Sequence, residues 1–260
     1  MNPVAGRGLI LALMAVGVLL PGGPVRSDSW PEEWSRPMEP FRIVGNVFYV
    51  GTEGVGAYLI VTPRGHILID GGAPRNAPLI AASIRKLGFK VSDIKYLLNS
   101  HAHVDHAGGL AELKRLSGAL MIASAADRPA LEAGRVGYGP SADWRFTPVK
   151  VDRTITDNGA VSLGGSTLYA HLTPGHTKGC TTWTMKVPDG RRMLDVMFYC
   201  STTTAGANLI DDPKYPNAAK DFRLSFRKLE TMRADVFLAN HGEFFGLMRS
   251  EEHTSELQSH

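Results

Sequence analysis

The stretch HAHVDHAGG, residues 101–109, places three histidines and one aspartate within six consecutive positions. Histidine is scarce elsewhere, because the whole chain of 260 residues contains nine. In extended backbone, residues i and i+2 project to the same side, so His101 and His103 can contact one ion together. Asp105 and His106 follow and can face a neighbouring ion. Imidazole and carboxylate groups are zinc ligands, so the stretch predicts a zinc site.

Two further histidines follow predicted strands and are candidate ligands of the same site. His176 lies in TPGHTKGC after the strand-like segment STLYAHL, and His241 lies in LANHGEFF directly after the last predicted strand. An isolated histidine at either position would more often have no role in metal binding. The cluster at residues 101–106 makes both histidines candidate ligands. His66 and His171 fall inside predicted strands, where core or surface side chains are the better interpretation.

Hydrophobic periodicity predicts two β-rich halves that each end in a helix and a strand. Strands are predicted at residues 41–50, 57–62, 66–70, 94–98, 149–151, 160–172, 181–187, 191–199 and 235–239. Helices are predicted around the apolar residues Ile80, Ile84, Leu87, Leu110, Leu113, Leu116, Phe222, Phe226, Leu229 and Met232. This order predicts an α/β fold in which two packed sheets have helices outside, with the candidate ligands on loops just after strands.

The two ends of the chain differ from the part between them. Residues 1–27 join a basic start to an apolar run that is too short to span a bilayer, so we predict a secretory signal peptide and a periplasmic protein. Residues 249–260, RSEEHTSELQSH, match the translation of a sequencing adapter and are left out of the fold and the site. We therefore expect one domain at residues 28–248, truncated at its C-terminal end.

Charge and cysteine content exclude several classes of protein. A formal net charge of +3 without a run of Lys or Arg gives no indication of nucleic acid, and we expect no membrane association of the mature form. Cys180 and Cys200 are too few for a disulfide scaffold. The turn at residues 188–190 brings them nearly opposite each other, with a diagonal offset. A disulfide and two buried thiols remain equal alternatives.

The motifs HAHVDH, GHT and NHG resemble those of the metallo-β-lactamase superfamily, and LIDGG at residues 68–72 fits the same family. The segments GHTKGCTTWT, FYCSTT and YPNAAKDFRLSF are similar to the third subclass of metallo-β-lactamases, B3. The resemblance extends from residue 41 to residue 247. It implies an αββα sandwich, in which two mixed sheets pack face to face with helices on both outer faces, and two zinc ions in a cleft between the sheets.

The same resemblance assigns roles to individual residues. It implies that the ligands of the first zinc are His101, His103 and His176. It implies that the ligands of the second zinc are Asp105, His106 and His241, with Asp105 also the candidate catalytic residue. Ser201 and Thr203 would help to bind the substrate carboxylate or the nucleophilic water. Tyr138 and Trp144 would line the cleft mouth, although Trp144 as a plain core residue is an equal alternative.

Position 201 separates the activities that the superfamily offers. Glyoxalase II and related lactonases resemble this chain but use a bridging aspartate where it has Ser201. Another lactamase subclass places a cysteine ligand there, whereas Cys200 stands one residue earlier and faces the opposite side. The resemblance therefore favours zinc-dependent hydrolysis of the β-lactam amide bond by a metal-bound hydroxide, which confers β-lactam resistance.

The alternatives are a glyoxalase II-like thioesterase or a lactonase of the same superfamily. A zinc-binding protein without catalysis is disfavoured because every ligand position is filled. The expected partner is a small-molecule β-lactam substrate, and the expected oligomeric state is a monomer.

Overall fold

The computed structural model describes residues 30–247 of the chain. The predicted signal peptide and the adapter-like tail lie outside the described residues. Within that range, no helix is both long enough and apolar enough to cross a membrane.

Among the described residues, seven strands form the first sheet in chain order. They are β1 (Phe41–Val44), β2 (Val47–Tyr49), β3 (Tyr58–Thr62), β4 (Gly65–Ile69), β5 (Ile94–Leu98), β6 (Leu120–Ser124) and β7 (Arg153–Ile155). β1 to β4 pair antiparallel, and β4 to β7 pair parallel. Parallel neighbours need crossover connections. These contain α1 (Ala77–Lys86), α2 (Val104–Ala107), α3 (Leu110–Ser117) and α4 (Arg128–Ala133).

The second sheet contains five strands of the described chain in the order β12-β11-β10-β9-β8. They are β8 (Ala160–Leu163), β9 (Ser166–Leu172), β10 (Thr181–Asp189), β11 (Arg192–Tyr199) and β12 (Val236–Ala239). β8 to β11 pair antiparallel, and β12 joins β11 in parallel after the crossover helix α5 (Ala218–Leu229). Short 3-10 helices lie at Glu32–Trp34, Val91–Asp93 and Gly242–Phe245.

Two buried clusters show how the layers pack. Leu68 of β4 belongs to a cluster shared with α1 and α3, whereas its neighbours Ile67 and Ile69 belong to a cluster shared with the second sheet. This alternation is the period of two that a strand imposes on its side chains. Trp183 of β10 is fully buried in the cluster between the sheets. The predicted sandwich of two mixed sheets with helices outside is confirmed.

The structure corrects several predicted elements. The single strand predicted at residues 41–50 is two strands, separated by a turn in which Gly45 has a φ of 50°. A Cβ at Gly45 would lie 2.4 Å from Cγ1 of Val187, so the close approach of the two chain segments requires glycine. The strand predicted at residues 149–151 is wrong. Val149 and Val151 are buried on either side of the exposed Lys150, but the segment is irregular and the strand is β7.

Strand β6 was absent from the sequence prediction. Four of its five residues are buried, so the alternation of apolar and polar residues that marks a half-exposed strand is missing. β6 lies between β5 and β7 in the parallel part of the first sheet. Its burial on both faces follows from that internal position, which a short sequence window does not reveal.

Cys180 and Cys200 form a disulfide with a Cα–Cα distance of 6.0 Å. The β10–β11 hairpin pairs Trp183 with Phe198, and extending that register by two residues sets Cys200 opposite Thr181. Cys180 is therefore one position away from direct opposition, which is the diagonal offset that the sequence predicted. Of the two alternatives, the structure contains the bridge.

Candidate metal centre

The six candidate ligands converge at one edge of the sandwich, where strands from both sheets end. The loop after β5 carries the first pair, the short helix α2 carries the second pair, and the loops after β9 and β12 each carry one. In that order they are His101 and His103, Asp105 and His106, His176, and His241. Residues separated by up to 140 positions in the chain are thus brought to one place, as the sequence predicted.

His101, His103 and His176, the first trio, present three ring nitrogens to one another. Nε2 of His176 lies 3.1 Å from Nε2 of His101 and 3.0 Å from Nδ1 of His103. His101 and His103 are 1% and 8% exposed. The three nitrogens can serve as the ligands of one ion.

Asp105, His106 and His241, the second trio, have the same compactness. Oδ2 of Asp105 lies 3.1 Å from Nε2 of His106 and 3.2 Å from Nε2 of His241. The two imidazole nitrogens are 3.2 Å apart. His101 is also close, since its ligand atom lies within 4.8 Å of those of Asp105 and His106. The shorter distances make His241, and not His101, the third member.

The spacing of both trios fits a tetrahedrally bound metal ion. Zn–N bonds of about 2.0–2.1 Å place two ligand atoms of a tetrahedral site about 3.3 Å apart. The observed separations of 3.0–3.2 Å are close to that edge length. Imidazole nitrogen with at most one carboxylate is also the ligand chemistry that zinc prefers. The residues present therefore fit a metal ion in each trio.

Burial keeps the first trio in the neutral form that ligands require. Desolvation, aided by the neighbouring histidines, lowers the pKa of His101 well below its usual value and that of His103 to about 3. Desolvation also lowers the pKa of His176 to about 4. In the second trio, burial opposes charge on both groups, but the attraction between Asp105 and His106 outweighs it. The pKa of Asp105 is lowered and that of His106 is raised.

Several ligands are held through the ring nitrogen that points away from the trio. Nδ1 of His176 donates to the carbonyl oxygen of Thr203 at 2.7 Å, and Nδ1 of His241 donates to that of Gly54 at 3.2 Å. Nδ1 of His101 lies 3.1 Å from the hydroxyl of Ser100. Such contacts fix the tautomer and the orientation of a ligating imidazole.

Asp70 organises the backbone that leads into the first pair of ligands. It is 2% exposed, and burial raises its pKa. Its Oδ1 accepts hydrogen bonds from Ser100 N at 2.7 Å and Asn99 Nδ2 at 2.9 Å, and its Oδ2 accepts from Ser100 Oγ at 2.6 Å. Nδ1 of His106 lies 3.9 Å from Oδ2. The sequence indicated Asp70 only through the LIDGG motif and gave it no role.

Two of the residues predicted to bind substrate contact each other, and one of them also contacts a candidate ligand. Ser201 is 2% exposed, and its hydroxyl lies 3.1 Å from that of Thr203. Thr203 Oγ1 lies 3.1 Å from Nδ1 of His176, in addition to the carbonyl contact. Thr203 therefore lies against the first trio and is exposed, whereas Ser201 is buried next to Thr203.

The predicted aromatic residues lie on two sides of the centre. Tyr138 lines a small cavity with His103 and His176, and its hydroxyl accepts a hydrogen bond from Lys178 N at 2.9 Å. Trp144 is 39% exposed, which excludes a plain core role.

Trp34, which the sequence analysis did not single out, connects Trp144 to the second trio. Its ring centroid lies 6.3 Å from that of Trp144 and 5.9 Å from that of His241. Trp34 and His241 also line a cavity of about 590 Å³ together with Glu53 and Phe244. The N-terminal segment thus contributes an aromatic wall beside the centre.

The histidines assigned to ordinary roles lie away from the six ligands' contacts. His66 is buried against the ring of Phe89, and the ring of His171 contacts Thr184 Oγ1 at 2.8 Å. Cys200 is not a ligand either, because its sulfur is bonded to Cys180. The structure thus gives His66 and His171 packing and hydrogen-bonding contacts, and Cys200 a disulfide.

The model of the metallo-beta-lactamase superfamily matches residues 50–187. The chain belongs to this superfamily, whose members are hydrolases. Among solved structures it is similar to BJP-1, a subclass B3 metallo-beta-lactamase of Bradyrhizobium japonicum, with 44% identity, a TM-score of 0.81 and coverage of 85% of this chain and 84% of the other. It is also similar to the FEZ-1 metallo-beta-lactamase from Legionella gormanii, with 43% identity, a TM-score of 0.82 and coverage of 87% of each chain.

Curated relatives with other activities are more distant. An N-acyl homoserine lactonase, AttM, of Agrobacterium fabrum is 28% identical over 53% of this chain and 61% of its own length. A hydroxyacylglutathione hydrolase of Rhodopseudomonas palustris is 32% identical over 46% of this chain and 39% of its own length. The chain spans about half the length of the curated relatives it matches. The activities in the names of these relatives correspond to the thioesterase and lactonase alternatives.

Proposed function

We propose that this protein hydrolyses the amide bond of β-lactam antibiotics with two zinc ions, one in each trio. The observation that carries the proposal is the arrangement of His101, His103 and His176 beside Asp105, His106 and His241, with Ser201 where related hydrolases have a bridging aspartate. The similarity to two metallo-beta-lactamase structures over more than four fifths of the chain supports it.

The two trios differ in the ligands that they offer to a metal ion. The first trio contributes three neutral imidazoles, and the second trio contributes Asp105 as the one carboxylate among the six ligands. Zinc, when bound, supplies a nucleophilic hydroxide at neutral pH and polarises the scissile carbonyl. Thr203 and Gly54 hold the outward nitrogens of His176 and His241, so that both rings present an unprotonated nitrogen to the centre.

The end of β11 argues against the thioesterase and lactonase alternative. Cys200 is in the disulfide and Ser201 carries a neutral hydroxyl, so neither supplies the bridging carboxylate. Asp195, the nearest preceding aspartate, lies within β11 and pairs with Lys186 Nζ at 2.6 Å. This part of the chain therefore offers no carboxylate to bridge two ions, which favours a lactamase.

Parallel kinetics on three substrate classes test the proposal. Zinc-loaded protein is assayed with a chromogenic cephalosporin and a carbapenem, with a glutathione thioester, and with an acyl homoserine lactone. We expect kcat/KM for at least one β-lactam to exceed that for the thioester and the lactone by about 100-fold or more, since catalytic efficiencies near 10⁴ M⁻¹s⁻¹ or above are typical of natural substrates. A higher kcat/KM for the thioester or the lactone would overturn it.

We also propose that the protein acts in the periplasm after removal of residues 1–27 and protects the cell against β-lactams. Expression of the full chain in a susceptible Gram-negative host, with fractionation, tests both statements. The expected result is periplasmic protein of lower mass and growth at a raised antibiotic concentration. Cytoplasmic protein of full mass, or unchanged susceptibility, would contradict them.

A further inference from the structure

Asp127 is a buried carboxylate that belongs to neither trio. It directly precedes α4, after β6, and is 2% exposed. A residue in this position commonly accepts a hydrogen bond from the first turn of its helix, but the side chain of Asp127 makes no such bond. Its two oxygens are used elsewhere, which raises the question of what they hold.

Both oxygens accept hydrogen bonds from the two loops that carry the first trio. Oδ2 accepts from Ala102 N at 3.0 Å and from Thr177 Oγ1 at 2.8 Å. Oδ1 accepts from Gly179 N at 2.8 Å. Ala102 lies between His101 and His103 in the chain, and Thr177 follows His176 directly. One carboxylate therefore joins the peptide between two ligands to the segment that follows the third.

The packing around this carboxylate is close. A Cβ at Gly179 would lie 2.0 Å from Ser124 Oγ and 2.7 Å from Cγ of Asp127, so no larger residue fits there. Ser124 Oγ in turn accepts a hydrogen bond from Asp127 N at 3.2 Å. Thr177 is fully buried. The end of β6 and the loop after β9 thus meet directly at Asp127.

Asp127 is costly to bury, because it has no ion pair with any Lys, Arg or His of the described chain. A buried ionised carboxylate without a cation is unfavourable unless hydrogen bonds compensate it. Here three donors do so, and the pKa is still raised to about 6, since desolvation outweighs the hydrogen bonds. Fold stability alone does not account for a charge retained at this cost, and the adjacent metal centre is what its hydrogen bonds reach.

We propose that Asp127 is a positioning residue of the first trio: its carboxylate holds the loop of His101 and His103 at the correct distance from the loop of His176. This inference rests on the metal-binding part of the proposed function and is independent of which substrate is hydrolysed. Residues that orient metal ligands typically contribute 10- to 100-fold to metal affinity. The second trio has no hydrogen bond to Asp127 and should be unaffected.

The test measures zinc binding to the metal-free full chain by competition with a chelator of known affinity. Asp127→Asn keeps the size but replaces one acceptor oxygen with an NH₂ group, so at least one loop loses its bond. The first-trio affinity is isolated by comparing Asp105→Asn with the double variant Asp105→Asn, Asp127→Asn. We expect an additional loss of about 10- to 100-fold. In the single variant Asp127→Asn, excess zinc should restore kcat to the value of the original chain.

Asp152→Asn is the matched control, because Asp152 also accepts a backbone hydrogen bond, from Met121 N at 2.8 Å, but lies at the opposite end of β6. It should leave both affinities unchanged. Thr177→Val removes one donor only and should reduce first-trio affinity by about tenfold, which keeps the test decisive if Asp127→Asn does not fold.

Three results would overturn the inference. The first is an unchanged first-trio affinity in Asp127→Asn and Thr177→Val, and the second is an equal loss in both trios. The third is the absence of zinc binding by the original chain, which would also end the proposed function. A chain that binds zinc as expected but hydrolyses a thioester or a lactone would refute the proposed substrate and leave the role of Asp127 standing.

Discussion

Asp105→Asn is the substitution that separates the two trios most cleanly. Oδ2 of Asp105 lies 3.1 Å and 3.2 Å from the ligand nitrogens of His106 and His241. The carboxylate is therefore in position to be one of the three ligands of the second ion. Asparagine keeps the shape and removes the negative charge. The first trio contains no carboxylate and should keep its ion.

The size of the effect follows from the contacts. Changing a group that merely orients a ligand costs about 10- to 100-fold in metal affinity, so losing a ligand should cost more than 100-fold. That ratio corresponds to at least about 2.8 kcal/mol, since each factor of ten is about 1.4 kcal/mol. Zinc content should therefore fall from about two to about one per chain. Turnover should fall at least 100-fold, because Asp105 is the one carboxylate within the second trio.

The assay is metal analysis of dialysed protein together with cephalosporin kinetics on the same sample. Asp152→Asn serves as the control for handling and folding, because Asp152 lies beside the start of β6, at the end opposite the metal centre. This variant should keep both its zinc content and its turnover. Near-normal turnover with a single zinc would refute the two-ion account. Retention of two zinc ions would show that the carboxylate charge is not needed for the second site.

Three further changes have defined outcomes. The pKa of Asp127 is about 6 in the folded protein and near 3.8 in the unfolded chain. Between these two pH values, Asp127 therefore binds a proton more strongly in the folded state than in the unfolded state. The free energy of unfolding should therefore fall by up to about 3 kcal/mol as the pH rises from about 4 to about 6, compared with the Asp127→Asn variant. Urea unfolding of both metal-free proteins measures this difference, and an equal pH dependence in the two would refute it. Replacing Cys180 and Cys200 with alanine should cost about 3 kcal/mol for a closed loop of this length, and an unchanged unfolding temperature would contradict it. Trp144→Ala should raise KM for several β-lactams without changing zinc content, and an unchanged KM would exclude a role for Trp144 at the cleft mouth.

The metal ligands could be predicted from the sequence because their chemistry is concentrated locally. His101 to His106 lie within six positions after a short buried strand, and histidine and aspartate have few other uses in such a pattern. The division of the six ligands into two trios is different. It depends on which ring nitrogens meet across distances of up to 140 positions, and spacing alone does not contain that information.

Other parts of the site could not be predicted, because they depend on packing between distant segments. A lone aspartate such as Asp127 reads as a helix start, and only the fold shows that its oxygens face the loops of the first trio. Trp34 precedes β1 and reaches the centre because the N-terminal segment lies beside His241. The disulfide was an open alternative, because the direction in which each sulfur points is set by the hairpin and its continuation.

The central claim is that zinc held by these six residues hydrolyses a β-lactam. The most direct measurement is carbapenem hydrolysis by metal-free protein during stepwise addition of zinc. The account predicts negligible turnover after chelation, recovery as zinc is added, and saturation at about two equivalents per chain. Turnover that chelation does not reduce would contradict it.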